Sequence, residues 1–299
     1  MSKIDGDHPK LTREQAEKHC ILKVVVGSHI HGLNIPTSDV DIEAIVVEPL
    51  ESVVRMGQPF EDLVIETPTE DVKYISLRKW CWLALNGNPN FLLPLFAPAT
   101  SIIGGYALGS QLRDMKGCFA SKRAGKSHLG YMNNQRKRLL SHVSAAYVDK
   151  ITNMGHGRMR DDLVVEHGYD TKFGMHLLRL GMQGVEFCKT GALTLPLPEP
   201  ARAYLLNVRA GNISVEEVLK EADQLEGEMK AELDVSPLPD EPRWDEVEDW
   251  MQDVYMNNWQ SAKMVKDLAT ERRIIAASKA RNALRDADWI EDTTAAKVE

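Results

Sequence analysis

The stretch that decides the reading is Lys23–Val47, KVVVGSHIHGLNIPTSDVDIEAIVV. Two apolar runs rich in β-branched residues flank a glycine–serine pair, a second glycine, a proline turn, and two aspartates, Asp39 and Asp41, one valine apart. That composition predicts two strands joined by a turn. On a strand, residues i and i+2 share a face about 6.6 Å apart, so both carboxylates look one way while the neighbouring valine and isoleucine look the other. Two anions so close repel, and burial worsens the repulsion unless a cation lies between them. A divalent ion, Mg²⁺ or Mn²⁺, meets that need, because Mg²⁺ takes hard oxygen ligands and is commonly shared with substrate phosphates.

The glycine–serine half supplies the complement. Gly27 and Ser28 end the first strand and Gly32 follows, so backbone N–H groups can approach an anion closely and the Ser28 hydroxyl adds a donor. Phosphate contacts and metal carboxylates at adjacent strand ends suit a nucleoside triphosphate such as ATP or CTP. A lone D-x-D is usually an exposed strand pair and a lone G-S a turn; the weight here comes from finding both between two strands of the right type.

The chain outside this stretch has ordinary globular composition: 299 residues, 43% hydrophobic and 27% charged, enough for one large domain or two. The pattern predicts an α+β fold. A short helix, LTREQAEKHC, is capped at Thr12. Strands follow at ILKVVV, DVDIEAIVV, 62–66 and 71–76, then helices at SLRKWCWLALNGN and PNFLLPLF. From about Ser110 onward the periodic segments are helical: 121–147, 170–190, 214–233 and 242–268. The expected organisation is a mixed-sheet core over 1–110, a helical domain over 111–272 that closes the cleft, and a charged tail over 273–299 with a disordered end. Candidate hinges are 153–162 and the proline-rich 195–200. No internal repeat is present.

Net charge is −8, so the whole-molecule field gives no reason to expect nonspecific nucleic-acid binding, and an anionic partner needs a local basic patch. One exists. No acid lies between Asp114 and Asp149, while Lys116, Lys122, Arg123, Lys126, Arg136, Lys137 and Arg138 do. This is either a phosphate-binding face or a solvated helix face paired with acids elsewhere. A second basic feature is a helix capped by Asp170 or Thr171 and ending near Gly191, on which Lys172, His176, Arg179 and Gln183 form one narrow polar stripe between apolar flanks. Cations so enclosed need anions, either structural acids or nucleotide phosphates. Four scattered cysteines without a C-x-x-C pair argue against a zinc knuckle or disulfide framework. His29, His31, His142, His156 and His167 lack metal-ligand spacing and read as structural or solvent-facing. With no apolar leader and no run of spanning length, a cytoplasmic location is expected.

G-S-x3-G followed by S-D-x-D is the hallmark of the DNA polymerase beta-like nucleotidyltransferase superfamily. Within it, GSHIHGLNIPTSDVDIEAIVV resembles the predicted nucleotidyltransferases of bacteria and phages, some linked to RNA repair. DVKYISLRKWCWLALNGNPNFLLPLF, FASKRAGKSHLGYMNNQRKRL and HGYDTKFGMHLLRLGMQGVEFCKTGAL resemble that family's later blocks, in order. One departure is Leu93, where the family usually carries a glutamate. The resemblance implies a third carboxylate from a later strand, with Asp71 the first candidate and Glu70 and Glu66 its rivals, acting as general base or completing the metal ligands. It also implies a nucleotide-binding role for Lys122 and Lys126. The expected activity is metal-dependent transfer of NMP from an NTP to an acceptor hydroxyl, at an RNA or tRNA 3′ end. The alternatives are an AMPylating transferase of toxin or antitoxin type, or a non-catalytic nucleotide-binding protein that keeps the fold.

Overall fold

The computed structural model describes residues 12–50, 53, 62–105, 107–143 and 161–295. Its sheet grows from the stretch quoted above. β1 (Cys20–Val25) and β2 (Val40–Val46) pair antiparallel, with Val25 opposite Ile42. A five-residue helix, α2 (Gly27–His31), stands where the sequence suggested a plain turn. Gly27 enters it at φ +61° and Gly32 leaves it at φ +71°, conformations that side-chain-bearing residues rarely adopt. β3 (Leu63–Glu66) and β4 (Glu70–Ser76) form a hairpin, and β4 lies parallel to β2. A fifth strand, β5 (Ile102–Gly105), completes the order β3-β4-β2-β1-β5. Its sequence, IIGG, carries no alternation that could announce it.

The period-two alternation sorts the sheet into two faces. Ile42, Ala44, Val46, Val72 and Tyr74 form an apolar cluster with Ala16 of α1 (Arg13–Lys18), which starts at Thr12 with a capping box to Gln15. The opposite face carries Asp41, Glu43, Asp71 and Lys73. Over it lies α3 (Leu77–Leu85), whose fully buried Trp80 donates its indole N–H to Glu43 at 2.7 Å. α4 (Pro89–Phe96) buries Leu93, the position of the family departure, in the core. α5 (Ala107–Asp114) and α6 (Lys116–Phe119) lead into the helical half.

That half centres on α9 (Thr171–Thr190), held between α7 (Lys122–Val143), α10 (Glu199–Arg209) and α11 (Val215–Val235). Asp170 caps α9 by accepting from the Phe173 N–H, and Gly191 closes it in the left-handed region, as the sequence predicted. Met175, Leu177, Leu178 and Leu180 pack with Met132 and Leu139 of α7, Leu205 and Val208 of α10, and Val218 and Met229 of α11. Leu33, just after α2, belongs to this helical core.

α8 (Asp161–His167) and α12 (Trp244–Ala295) complete the described helices. α12 runs past its expected end near 268, so the charged segment after Arg273 is helical to Ala295. Of the C-terminal end expected to be disordered, 293–299, the first three residues lie in α12 and 296–299 fall outside the described residues, as does most of the candidate hinge 153–162; Asp161 and Asp162 open α8. The chain divides into two compact units, Met1–Met251 and Gln252–Glu299. Among the described residues no helix is long and apolar enough to cross a membrane. The fold is α+β: a mixed five-stranded sheet with many helices.

Candidate active site

Asp41 and Asp71 are register partners on the parallel strands β2 and β4, and thus sit side by side on one face. Neighbouring strands run about 4.8 Å apart, close enough for two carboxylates to feel one another strongly. Asp41 is half-buried, and its carboxyl is pushed above the usual carboxylate range. Burial is the largest cause, followed by the negative charge of Asp71; Asp39 pushes the same way, while Lys172 and His29 pull back. Three carboxylates, one lysine and one histidine therefore meet electrostatically around a single atom group. Asp39 is exposed just before β2, and the rival acids Glu66 and Glu70 are exposed at the β3–β4 turn.

The strand pairing explains why Gly27 and Ser28 share this site. The Val26 N–H donates to the Asp41 carbonyl at 2.8 Å, which draws the end of β1 against the carboxylate-bearing strand. A Cβ on Gly27 would overlap the Asp41 carboxylate. As the first residues of α2, Gly27, Ser28 and His29 have N–H groups with no partner earlier in the helix.

The polar stripe of α9 faces this region. Lys172 is near Asp41, and His176 and Arg179 are near His31, the last residue of α2. Arg179 is only 6% exposed; its Nη1 donates to Gln183 Oε1 at 2.8 Å and contacts His31 Nε2 at 3.0 Å. Burial lowers its pKa to about 10. Of the basic patch on α7, Lys122 contacts Asp240 at 3.7 Å, Arg123 contacts Glu241, and Arg136 contacts Asp223 at 2.7 Å and Glu226 at 3.3 Å. Lys126, Lys137 and Arg138 are exposed.

The sequence reading passed over Glu43. It continues the alternation of Asp39 and Asp41 along β2, and that period-two spacing was the available signal. Glu43 lies opposite Lys73 in the sheet register and is pushed up to about 7, chiefly by burial, against the opposing pull of the Trp80 N–H and Lys73. A cavity of about 640 Å³ bordered by Ser76, Trp82, Leu85 and Trp244 lies elsewhere, toward the other end of β2 and β4.

Could these residues hold a divalent metal? Among the described residues no group of three His, Cys, Asp or Glu forms a cage. Mg²⁺ does not need one, since it is usually held by one or two carboxylates plus water and substrate phosphates. The donors are hard oxygens whose mutual repulsion Lys172 and His29 offset only in part, so the set fits such an ion.

Residues 7–253 match the model of a family described as the RNA repair pathway DNA polymerase beta family. No curated protein matches the chain. Among solved structures the chain is similar to a spectinomycin adenyltransferase, AAD(9), from Enterococcus faecialis, solved with ATP and spectinomycin. Identity is 12%, the match covers 74% of this chain and 95% of that chain, and the TM-score is 0.35.

Proposed function

The chain belongs to the RNA repair pathway DNA polymerase beta family and is a polymerase beta-like nucleotidyltransferase, and from that premise we propose that it transfers NMP from an NTP to the 3′ hydroxyl of an RNA. The observation that carries the reading is the pairing of Asp41 with Asp71 across β2 and β4, with Asp39 beside them and Asp41 held in an electrostatically unfavourable state. Asp39, Asp41 and Asp71 would hold Mg²⁺ or Mn²⁺. When bound, that ion neutralises charge on the reacting phosphate and polarises it toward attack.

The residues of the chain then have distinct tasks. Gly27 and Ser28 offer N–H groups and a hydroxyl to the triphosphate, and Lys172 and His176 face it from α9. Asp71, in its second role, accepts the proton of the acceptor hydroxyl as its oxygen attacks the α-phosphorus. The new P–O bond forms as the bond to the bridging oxygen breaks, and pyrophosphate leaves. The helical half closes over this cleft. Lys122 and Lys126 extend the anion-binding surface, and the exposed Lys137 and Arg138 guide the acceptor. The four buried, unbridged cysteines suit a reducing cytoplasm.

One observation favours a second reading. Arg136, Lys122 and Arg123 already have acidic partners within the chain, which thins the cationic row an RNA would follow. A protein hydroxyl, as in an AMPylating transferase, needs no such row. The deciding experiment incubates the protein with each labelled NTP, Mg²⁺, and either total RNA or total protein. Label in RNA is expected. Label in protein alone moves the acceptor, and label in neither fraction with any NTP returns the chain to nucleotide binding without transfer.

A further inference from the structure

α2 carries the proposed phosphate contacts at one end and His31 at the other, and Arg179, Gln183 and Leu197 reach His31 from the helical half. The residue is 3% exposed, with its ring Nε2 3.0 Å from Arg179 Nη1. Its carbonyl accepts from the Leu197 N–H at 3.2 Å. Two residues later Leu33 enters the α9 core while its N–H donates to the Ser28 carbonyl at 2.9 Å.

A guanidinium has only donors and stays protonated, so the ring nitrogen facing it must accept. Arg179 therefore fixes His31 as the neutral Nδ1–H tautomer. The same Nη1 uses its other hydrogen on Gln183 Oε1. The Gln183 Nε2 to His31 Nδ1 approach of 3.4 Å then sets donor against donor, and packs the ring without bonding it. Leucine and methionine would fill this space with less desolvation. Moreover, among the described residues no carboxylate lies within ion-pair distance of Arg179. Among those residues its positive charge is thus buried behind α2 without a counter-anion, an arrangement that becomes favourable when an anion occupies the other end of that turn.

We propose that His31 is a positioning residue, a neutral imidazole through which Arg179 and Gln183 lock the Gly27–Gly32 turn to α9 at the separation a bound triphosphate requires. The inference rests on the nucleotidyltransferase reading for its purpose, but not for the lock itself. Lys172 lies seven residues before Arg179 on the same α9 stripe, so fixing α2 against Arg179 also fixes Ser28 relative to Lys172.

The test compares His31→Leu, His31→Gln and Arg179→Lys with the unaltered protein. It reads amide exchange over 27–33, binding of a non-hydrolysable NTP with Mg²⁺, and the steady-state constants. His31→Leu should raise exchange across 27–33 by about tenfold while β1 stays protected, and raise KM for the NTP by about tenfold with a smaller fall in kcat. Glutamine keeps an acceptor and should recover most of both. Arg179→Lys keeps the charge, loses the fork, and should loosen the same segment, which preserves the test if the leucine variant does not fold. Equal behaviour of the leucine and glutamine variants, or unchanged exchange in Arg179→Lys, overturns the lock and leaves His31 a packing residue. If the unaltered protein binds no NTP, the nucleotidyltransferase reading fails separately, and exchange alone decides the lock.

Discussion

Gly27 and Asp41 compete for one space: the position a Cβ would take on Gly27 is already filled by the Asp41 carboxylate, and Gly27 holds φ +61° besides. The glycine is thus required twice, by backbone conformation and by close approach of an anion. Gly27→Ala should cost about 1–3 kcal/mol through the left-handed backbone alone, and should also displace the carboxylate. The expected outcome is a lower urea midpoint with unchanged m value, together with loss of nucleotide transfer. A variant of undiminished midpoint would show that the turn relaxes freely and that Gly27 does not fix Asp41.

Asp41→Asn makes the opposite prediction for stability. An acid whose pKa is raised by folding is ionised more easily in the unfolded chain, so above the ordinary carboxylate range its charge opposes folding. Removing that charge should leave the metal-free melting temperature unchanged or higher at pH 7, while transfer is abolished. Mg²⁺ should stabilise the unaltered protein more with NTP present than alone, and should do neither for the variant. Loss of folding in Asp41→Asn would make the aspartate structural instead.

How much of this was legible before the fold was known varies with the physics. D-x-D between two apolar runs revealed β2 and its charged face, because side-chain alternation is a local property. The caps at Thr12, Asp170 and Gly191 were legible for the same reason. The resemblance named Asp71, but residue spacing alone could not pair it with Asp41, since register between β2 and β4 is set by contacts thirty residues apart. His31 read as an ordinary histidine because its partner is 148 residues away. The cationic run on α7 hid the acids of α11 that neutralise Arg136. β5 escaped because its pairing with β1, not its own residues, makes it a strand.

Glu43 and the buried histidines should tilt the pH profile in opposite directions. Glu43 is raised to about 7 from 4.5, so its contribution to stability is present at low pH and lost as pH rises between those values. His128 is lowered to about 4 by burial, and His31 is lowered too, so both withdraw stability as pH falls below about 6.5. Glu43→Gln keeps an acceptor for Trp80 and removes only the titration. In chelator-treated protein the variant should match the unaltered chain at pH 4.5 and exceed it by up to about 3 kcal/mol at pH 8. A gap that does not change with pH would mean that Glu43 ionises normally.

The acceptor is tested by separating Arg136 from its neighbours. Arg136 reaches Asp223 and Glu226 of α11 and is only partly exposed, so its removal should loosen the contact between α7 and α11. Breaking that network takes the cation from Asp223 and leaves Glu226 with Lys230 alone, and Arg136→Ala should lower stability by about 1 kcal/mol, with little change in salt dependence. Lys137 and Arg138 are exposed, and no such bridge is formed by either among the described residues. If a single-stranded RNA crosses this face, acceptor affinity should fall with log salt at a slope near −0.7 per phosphate neutralised. The double change Lys137→Ala, Arg138→Ala should then flatten the slope by about 1.4 while leaving NTP affinity and melting temperature in place. A double variant that labels RNA as well as the unaltered protein at every salt concentration would leave this part of α7 as solvated surface, and would move the acceptor to a protein hydroxyl or to another face.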